Sequence, residues 1–141
     1  MNINREDVIS VEIPASTKYL SILSDCIECI LKRNENILYS YVYPVQMAVH
    51  ETCSNIVEHA CANFPNGYIK VVFTIKIEEK IFAVDIYDNG DSFDIDMIEP
   101  PLLDTPQVRG YGLFIVHKLM DNVLYQPMSG NNHWRLVKYF N

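Results

Sequence analysis

Glu51, Asn55 and His59 stand four apart in Val45–Ala60, VQMAVHETCSNIVEHA, a spacing that stacks them on one face of a helix. A carboxylate one turn before an amide oxygen is a usable pair. Glu51 can take a proton from a hydroxyl or a water, and the Asn55 oxygen suits Mg²⁺, a hard cation that needs few protein ligands. Read without chemistry, the same residues are a solvated helix face, although Asn is an indifferent helix former with no charge to offer water. Two further clusters follow. Asp88-x-Gly90 offers a carboxylate that would accept from the exocyclic amine of adenine and repel the carbonyl of guanine. Its glycine would let the backbone approach a base. The plainer reading is an Asp-Asn-Gly turn. Arg109-Gly110-Tyr111-Gly112-Leu113 sets two glycines before a helix, where backbone N–H groups and the helix dipole can meet phosphate oxygens. Arg109 either adds a charge to those phosphates or is merely exposed. The segment is neither a P-loop nor a Rossmann fingerprint.

The elements that must carry these clusters are legible from periodicity. Val8–Ile13 alternates and is stopped by Pro14, which predicts a first strand. Ser16 or Thr17 can cap a helix with Leu20, Leu23, Ile27, Ile30 and Leu31 on one stripe. A second helix, Val45–Ala60, buries Val45, Ala48, Val49, Ile56 and Ala60, with Pro44 suited to its first position, and ends before the turn signal Phe64-Pro65-Asn66-Gly67. Tyr68–Ile77 and Ile81–Asp88 read as strands. In the second, period two puts Asp88 on the same inward face as Phe82, Val84 and Ile86, where a carboxylate is costly without partners. A long connection rich in Asp, Gly and Pro follows, with one apolar piece at Ile95–Ile98. Beyond it come a helix Leu113–Asp121, a strand Val123–Gln126, a turn Ser129–Asn132 and a closing strand Trp134–Phe140. The order β-α-α-β-β-loop-α-β-β places helices on one face of a mainly antiparallel sheet.

The totals narrow the function classes. A chain of 141 residues, 49% apolar and 21% charged, fits one globular domain with a real core. A net charge of −7 argues against non-specific nucleic-acid binding. No apolar run approaches the roughly 20 residues that span a bilayer, and MNINREDVIS lacks the apolar stretch of a signal peptide. These features lead to the expectation of a cytoplasmic protein without membrane contact. Cys26-x-x-Cys29 has no second pair to match it, since Cys53 and Cys61 lie eight apart, so the cysteines read as small buried thiols rather than a zinc site. His50-Glu51 fails as a zinc-protease motif because Ser54 stands where the second His belongs.

Taken together, E-x-x-x-N-x-x-x-H-A, D-x-G-x-x-F-D after a strand and G-x-G-L before a helix resemble the N, G1 and G2 boxes of the GHKL (Bergerat-fold) ATPases. Within that superfamily TCSNIVEHA, GYGLFIVHKLMDNV and NNHWRLVK are similar to the bacterial anti-sigma factor serine/threonine kinases of the partner-switching type, and the likeness runs over residues 8–140. The resemblance implies a single histidine-kinase-like ATPase domain over residues 1–141. The implied fold is an α+β two-layer sandwich whose mixed, mainly antiparallel sheet is covered on one face by helices, with residues 91–109 as the nucleotide lid.

The same resemblance assigns roles. Glu51 would be the general base, Asn55 the Mg²⁺ ligand and Asp88 the adenine-reading carboxylate, with Gly90 beside it. Arg109, Gly110, Tyr111, Gly112 and Leu113 would form the phosphate-contacting segment, and Asn132 would stand where many members have a threonine near the adenine. ATP and Mg²⁺ are the implied cofactors. The implied partners are a sigma factor held inactive, a STAS-domain anti-anti-sigma factor phosphorylated on serine or threonine, and a second copy of the chain as a homodimer, with no direct nucleic-acid contact. Many relatives have Pro-Gly where this chain has Asp91-Ser92, which motivates an alternative: a non-catalytic clamp for a sigma factor or STAS protein with a degenerate nucleotide site. Asp91 and Asp94 either lie near the phosphate path or face solvent. His59 is expected to pack or cap at the helix end, and His117, on a helix, is no evidence of a phosphohistidine site. The catalytic half of a sensor histidine kinase would need a helical dimerisation segment with its own His, for which the residues before Val8 are too few.

Overall fold

In the computed structural model, residues 5–34, 37, 39–93 and 111–141 are described. Five strands, β1 (Glu6–Pro14), β2 (Tyr68–Lys76), β3 (Ile81–Asp88), β4 (Asn122–Gln126) and β5 (Asn132–Tyr139), form one sheet in the order β1-β2-β3-β5-β4. Three helices, α1 (Leu20–Lys32), α2 (Val42–Asn55) and α3 (Tyr111–Leu119), pack with it in a single core. All four pairings are antiparallel, so the expected mixed sheet is corrected to a purely antiparallel one. The reason lies in connectivity. The α1–α2 pair makes two passes between β1 and β2 and returns the chain antiparallel. The α3 crossover joins β3 to β4, which run parallel, but β5 inserts between them and pairs with both.

Alternation holds across the sheet. Ile69, Val71, Phe73 and Ile75 on β2, Phe82, Val84, Ile86 and Asp88 on β3, and Trp134 and Leu136 on β5 are all buried. They meet the α1 stripe of Leu20, Leu23, Ile27, Ile30 and Leu31 and the α2 residues Val45, Ala48, Val49 and Cys53. On the opposite face the buried Asp85 meets Arg135 Nη1 through Oδ2 at 2.8 Å and His133 Nε2 through Oδ1 at 2.7 Å, and Tyr87 stacks on His133 with centroids 4.3 Å apart. No helix among the described residues is long and apolar enough to cross a membrane.

Several sequence expectations shift by a turn or less. Ser16 does cap, its side chain accepting from the Lys18 N–H, but it caps a 3₁₀ turn, Thr17–Tyr19, that leads into α1. The second helix begins at Val42, so Pro44 is its third residue. It is tolerated because first-turn N–H groups have no intrahelical acceptor to lose. The third helix closes at Leu119, and Asp121 N–H already bonds Val137 O at 2.9 Å, which starts β4 one residue early. Val8 lies opposite Val11 and Ile13 in the pleat and is exposed. The cysteine expectation holds for Cys53 and Cys61, which are buried, but not for Cys29, which is exposed, or Cys26, which is half-buried. Those two flank the α1 stripe instead of sitting on it. Ile95–Ile98 lies outside the described residues.

Candidate nucleotide site

Glu51 and Asn55 occupy successive turns of α2, both half-buried, with no hydrogen-bond partner for either side chain among the described residues. Directly after Asn55 the helix widens into a π-turn, Ile56–Ala60, closed by Cys61 N–H to Ile56 O at 2.8 Å. The wider turn breaks the four-residue row. His59 leaves the Glu51–Asn55 face, is exposed, and meets the Phe93 ring edge-on at 6.3 Å. Such bulges concentrate at functional sites, and this one has a visible consequence. The Ala60 carbonyl takes the Asp91 N–H at 2.8 Å, fastening the end of α2 to the chain leaving β3.

Gly90 is required at that junction. A Cβ there would lie 2.2 Å from Ala60 O and 2.9 Å from Cys61 Sγ. Its close approach is therefore to the end of α2, a packing demand that stands whatever else the glycine contacts. Asp88 and Asn89 shape the same corner. Asp88 Oδ1 accepts the Gly90 N–H at 2.9 Å, closing an Asx turn. Asn89 Oδ1 accepts the Tyr68 N–H at 2.9 Å, and its amide reaches Asn66 O at 3.2 Å, pinning the start of β2.

Asn132, opposite Asp88 in the β3–β5 register, is completely buried and joins the parts. Its Nδ2 lies 3.1 Å from Asp88 Oδ1, 3.0 Å from Gly90 O and 3.0 Å from Asp91 O. Its Oδ1 accepts from Ser92 Oγ at 2.6 Å and from Met128 N–H at 3.0 Å. Ser92, a departure from Pro-Gly, thus orients Asn132, and Asp91 is exposed at its side chain. Phe93 N–H donates to Tyr125 Oη at 2.8 Å. Every partner of Asp88 converges on Oδ1. Its Oδ2 is buried and has no partner among the described residues, although Asp88 is only 1% exposed.

The electrostatics follow. Burial pushes the Asp88 carboxyl above its ordinary value, opposed by the hydrogen bonds from Asn132 and Gly90. Burial, and next the Asp88 charge, push the Cys53 thiol up to about 12 and that of Cys61 to about 11, so neither is a nucleophile at neutral pH. A buried carboxylate with one oxygen fixed and the other open fits a ligand that presents a single donor, as the exocyclic amine of adenine does. Leu113 is buried in the first turn of α3, which starts at Tyr111 with Gly112 next, two residues earlier than expected. Arg109, Gly110 and residues 94–109 of the expected lid lie outside the described residues. No cluster of three or more His, Cys, Asp or Glu suited to a metal occurs among the described residues. A single half-buried amide such as Asn55 suits an ion that keeps most of its waters.

Residues 13–138 match the model of the histidine kinase-like ATPase domain. The chain belongs to that family. It is 30% identical to the serine-protein kinase RsbW of Bacillus subtilis, with 98% of this chain and 89% of the relative covered. It is 32% identical to the RsbW of Staphylococcus aureus, with 90% and 84% covered. These likenesses make it a protein kinase of the serine-protein kinase branch, ATP-using and of the GHKL fold. Among solved structures, the RsbU and RsbW domains of a Mycobacterium tuberculosis protein superpose with a TM-score of 0.71 at 14% identity, covering 95% of this chain and 32% of that one. The catalytic domain of the histidine kinase ThkA superposes with 0.55 at 12% identity, covering 94% and 96%. Both show the shared fold.

The structure brings Asp88, Gly90 and Asn132 into one contact network and sets Glu51 and Asn55 one turn apart on the helix that ends against it. Tyr125 and Trp134 were not singled out from the sequence, Ser92 stood out only as a departure from Pro-Gly, and Phe93 only as part of the D-x-G-x-x-F-D motif. Period-two alternation from Asn132 places Trp134 on the same inward face, and that signal was available.

Proposed function

We propose that this single domain, residues 1–141, works in the cytoplasm as an anti-sigma factor that holds a sigma factor inactive. In this reading it is a homodimer and phosphorylates a serine or threonine of a STAS-domain antagonist, without touching nucleic acid itself. The observation that carries the nucleotide part is the open Asp88 Oδ2, buried beside a fully satisfied Oδ1. The kinship with serine-protein kinases over nearly the whole chain supports the rest.

In this reading Asp88 selects adenine, Asn132 holds its carboxylate in place, and Gly90 keeps the wall of the site closed against α2. Asn55 would hold Mg²⁺, and Arg109 with the Gly110–Tyr111–Gly112–Leu113 backbone would hold the phosphates. The ion, when bound, neutralises phosphate charge. Glu51, one turn before Asn55, receives the proton of the antagonist's hydroxyl as that oxygen attacks. Phosphoryl transfer is mostly positioning and electrostatics, so no further nucleophile is required of the chain.

The test is transfer of labelled phosphate from ATP to a STAS-domain protein by wild type and Glu51→Gln. The variant is expected to bind Mg²⁺-ATP like wild type and transfer at least about 100-fold more slowly, the scale of a lost general base. Transfer at the wild-type rate would remove Glu51 from that role. Stable partner binding with no transfer even in the wild type would favour a clamp without chemistry.

A further inference from the structure

Two buried side-chain polar atoms have no hydrogen-bond partner among the described residues, Asp88 Oδ2 and Trp134 Nε1. One is an acceptor and the other a donor, and their residues are diagonal neighbours in the sheet. Asp88 pairs with Asn132, and Ile86 with Trp134, in the β3–β5 register. Period two puts all four on the helix-facing side. Trp134 is thus diagonal to Asp88, a separation of roughly 7–8 Å between backbones that a large aromatic side chain can bridge.

The indole is also fixed. Tyr125 stacks on it with centroids 4.2 Å apart, and Phe93 meets it edge-on at 6.3 Å. Trp134 is 3% exposed, and a buried indole N–H ordinarily finds a partner. An unpaired donor is unfavourable, and phenylalanine would fill an apolar position without that cost. A donor and an acceptor left unpaired at diagonal positions on one face of the sheet match a ligand edge of the complementary pattern. Adenine has that edge, because its amine donor is flanked by ring-nitrogen acceptors.

We infer that Trp134 Nε1–H donates to a ring nitrogen of the bound adenine, making Trp134 a second specificity-determining contact beside Asp88. The inference rests on the nucleotide site proposed above and deepens it. Asp88 reads the amine and Trp134 reads the adjoining acceptor, so a base that lacks either group loses one bond.

The experiment uses the full chain and its sole tryptophan. Mg²⁺-ATP, 1-deaza-ATP and 7-deaza-ATP, each deaza analogue lacking one flanking nitrogen, are titrated into wild type and Trp134→Phe. The indole N–H resonance of the unaltered chain is followed by NMR. The variant should bind ATP about tenfold more weakly. Wild type should lose a similar factor with one of the two analogues, and the variant should lose nothing further with that analogue. The indole proton should move downfield with ATP and stay in place with that analogue. Equal ATP affinity in wild type and variant, or an indole resonance that ATP does not move, would overturn the assignment. The NMR and analogue measurements on wild type decide the matter even if the variant does not fold. Failure of wild type to bind ATP, or unchanged ATP binding by Asp88→Asn, would instead overturn the nucleotide site and this contact with it.

Discussion

Asn132→Asp replaces one amide NH₂ by an oxygen at nearly constant shape, and the structure allows its effect to be worked out. Nδ2 serves three acceptors at 3.0–3.1 Å. Two of them keep another donor: Asp88 Oδ1 retains the Gly90 N–H, and Gly90 O retains the Gly130 N–H at 3.1 Å. Asp91 O keeps none among the described residues. Losing these bonds in a buried setting costs about 2–3 kcal/mol. A second carboxyl also stands against Asp88, and two such groups in contact do not both ionise freely. The sum is about 3–5 kcal/mol, a large share of the 5–15 kcal/mol expected for a domain, or roughly 10–15 °C in Tm.

The pH dependence has a definite sign. Burial and the neighbouring charge raise the folded-state pKa of the shared carboxyls above the unfolded value. The protonated form, which regains a donor, therefore favours the fold at low pH, and that contribution is lost as pH rises. Urea denaturation of both proteins at pH 5 and pH 7.5 should show a gap that narrows on acidification. A variant within about 1 kcal/mol of wild type at pH 7.5, or a gap independent of pH, would refute the assignment of Asn132 as the hub.

Gly90→Ala should cost about 2–4 kcal/mol, because the clash is with the Ala60 backbone and no flexible side chain can yield. Calorimetry that finds less than about 1 kcal/mol would mean the end of α2 is free to move. In the ligand-free protein, the raised Asp88 pKa means the folded state binds that proton more tightly than the unfolded chain. Asp88's contribution is then greatest below the ordinary carboxylate value of 3.8 and is lost as pH rises through the raised one. The stability of wild type minus that of Asp88→Asn should fall with rising pH over that window, as followed by fluorescence on denaturation. A flat difference would show that Asp88 is not strained by burial.

Much of this arrangement was legible in the residues, for physical reasons. Long stripes such as Leu20 to Leu31, and strict alternation such as Ile69 to Ile75, admit one burial pattern each, and the second carries on β3 to an inward Asp88. The π-turn at Ile56–Ala60 was not legible, because IVEHA reads equally well as one more α-turn and only the contact with Gly90 and Asp91 reveals it. The purely antiparallel sheet depends on β5 inserting between β3 and β4, a long-range choice that local pattern does not encode. Asn132 appeared as a residue near a base, whereas its five contacts tie the Asp88–Ser92 corner to Met128 in the turn before β5. Cys29 misled because free cysteine is usually buried, and here it stands one position off the α1 stripe.

The central claim is that the buried, half-open Asp88 carboxylate reads adenine. Calorimetric titration of wild type and Asp88→Asn with Mg²⁺-ATP and Mg²⁺-GTP tests it directly. An asparagine must turn either its NH₂ toward the base amine or that NH₂ toward the Gly90 and Asn132 donors, so one mismatch is unavoidable in either orientation. Wild type should bind ATP far better than GTP, and the variant should lose about tenfold or more of its ATP affinity and most of that preference. Equal ATP affinity in the two proteins, or ATP and GTP bound alike by wild type, would contradict the account.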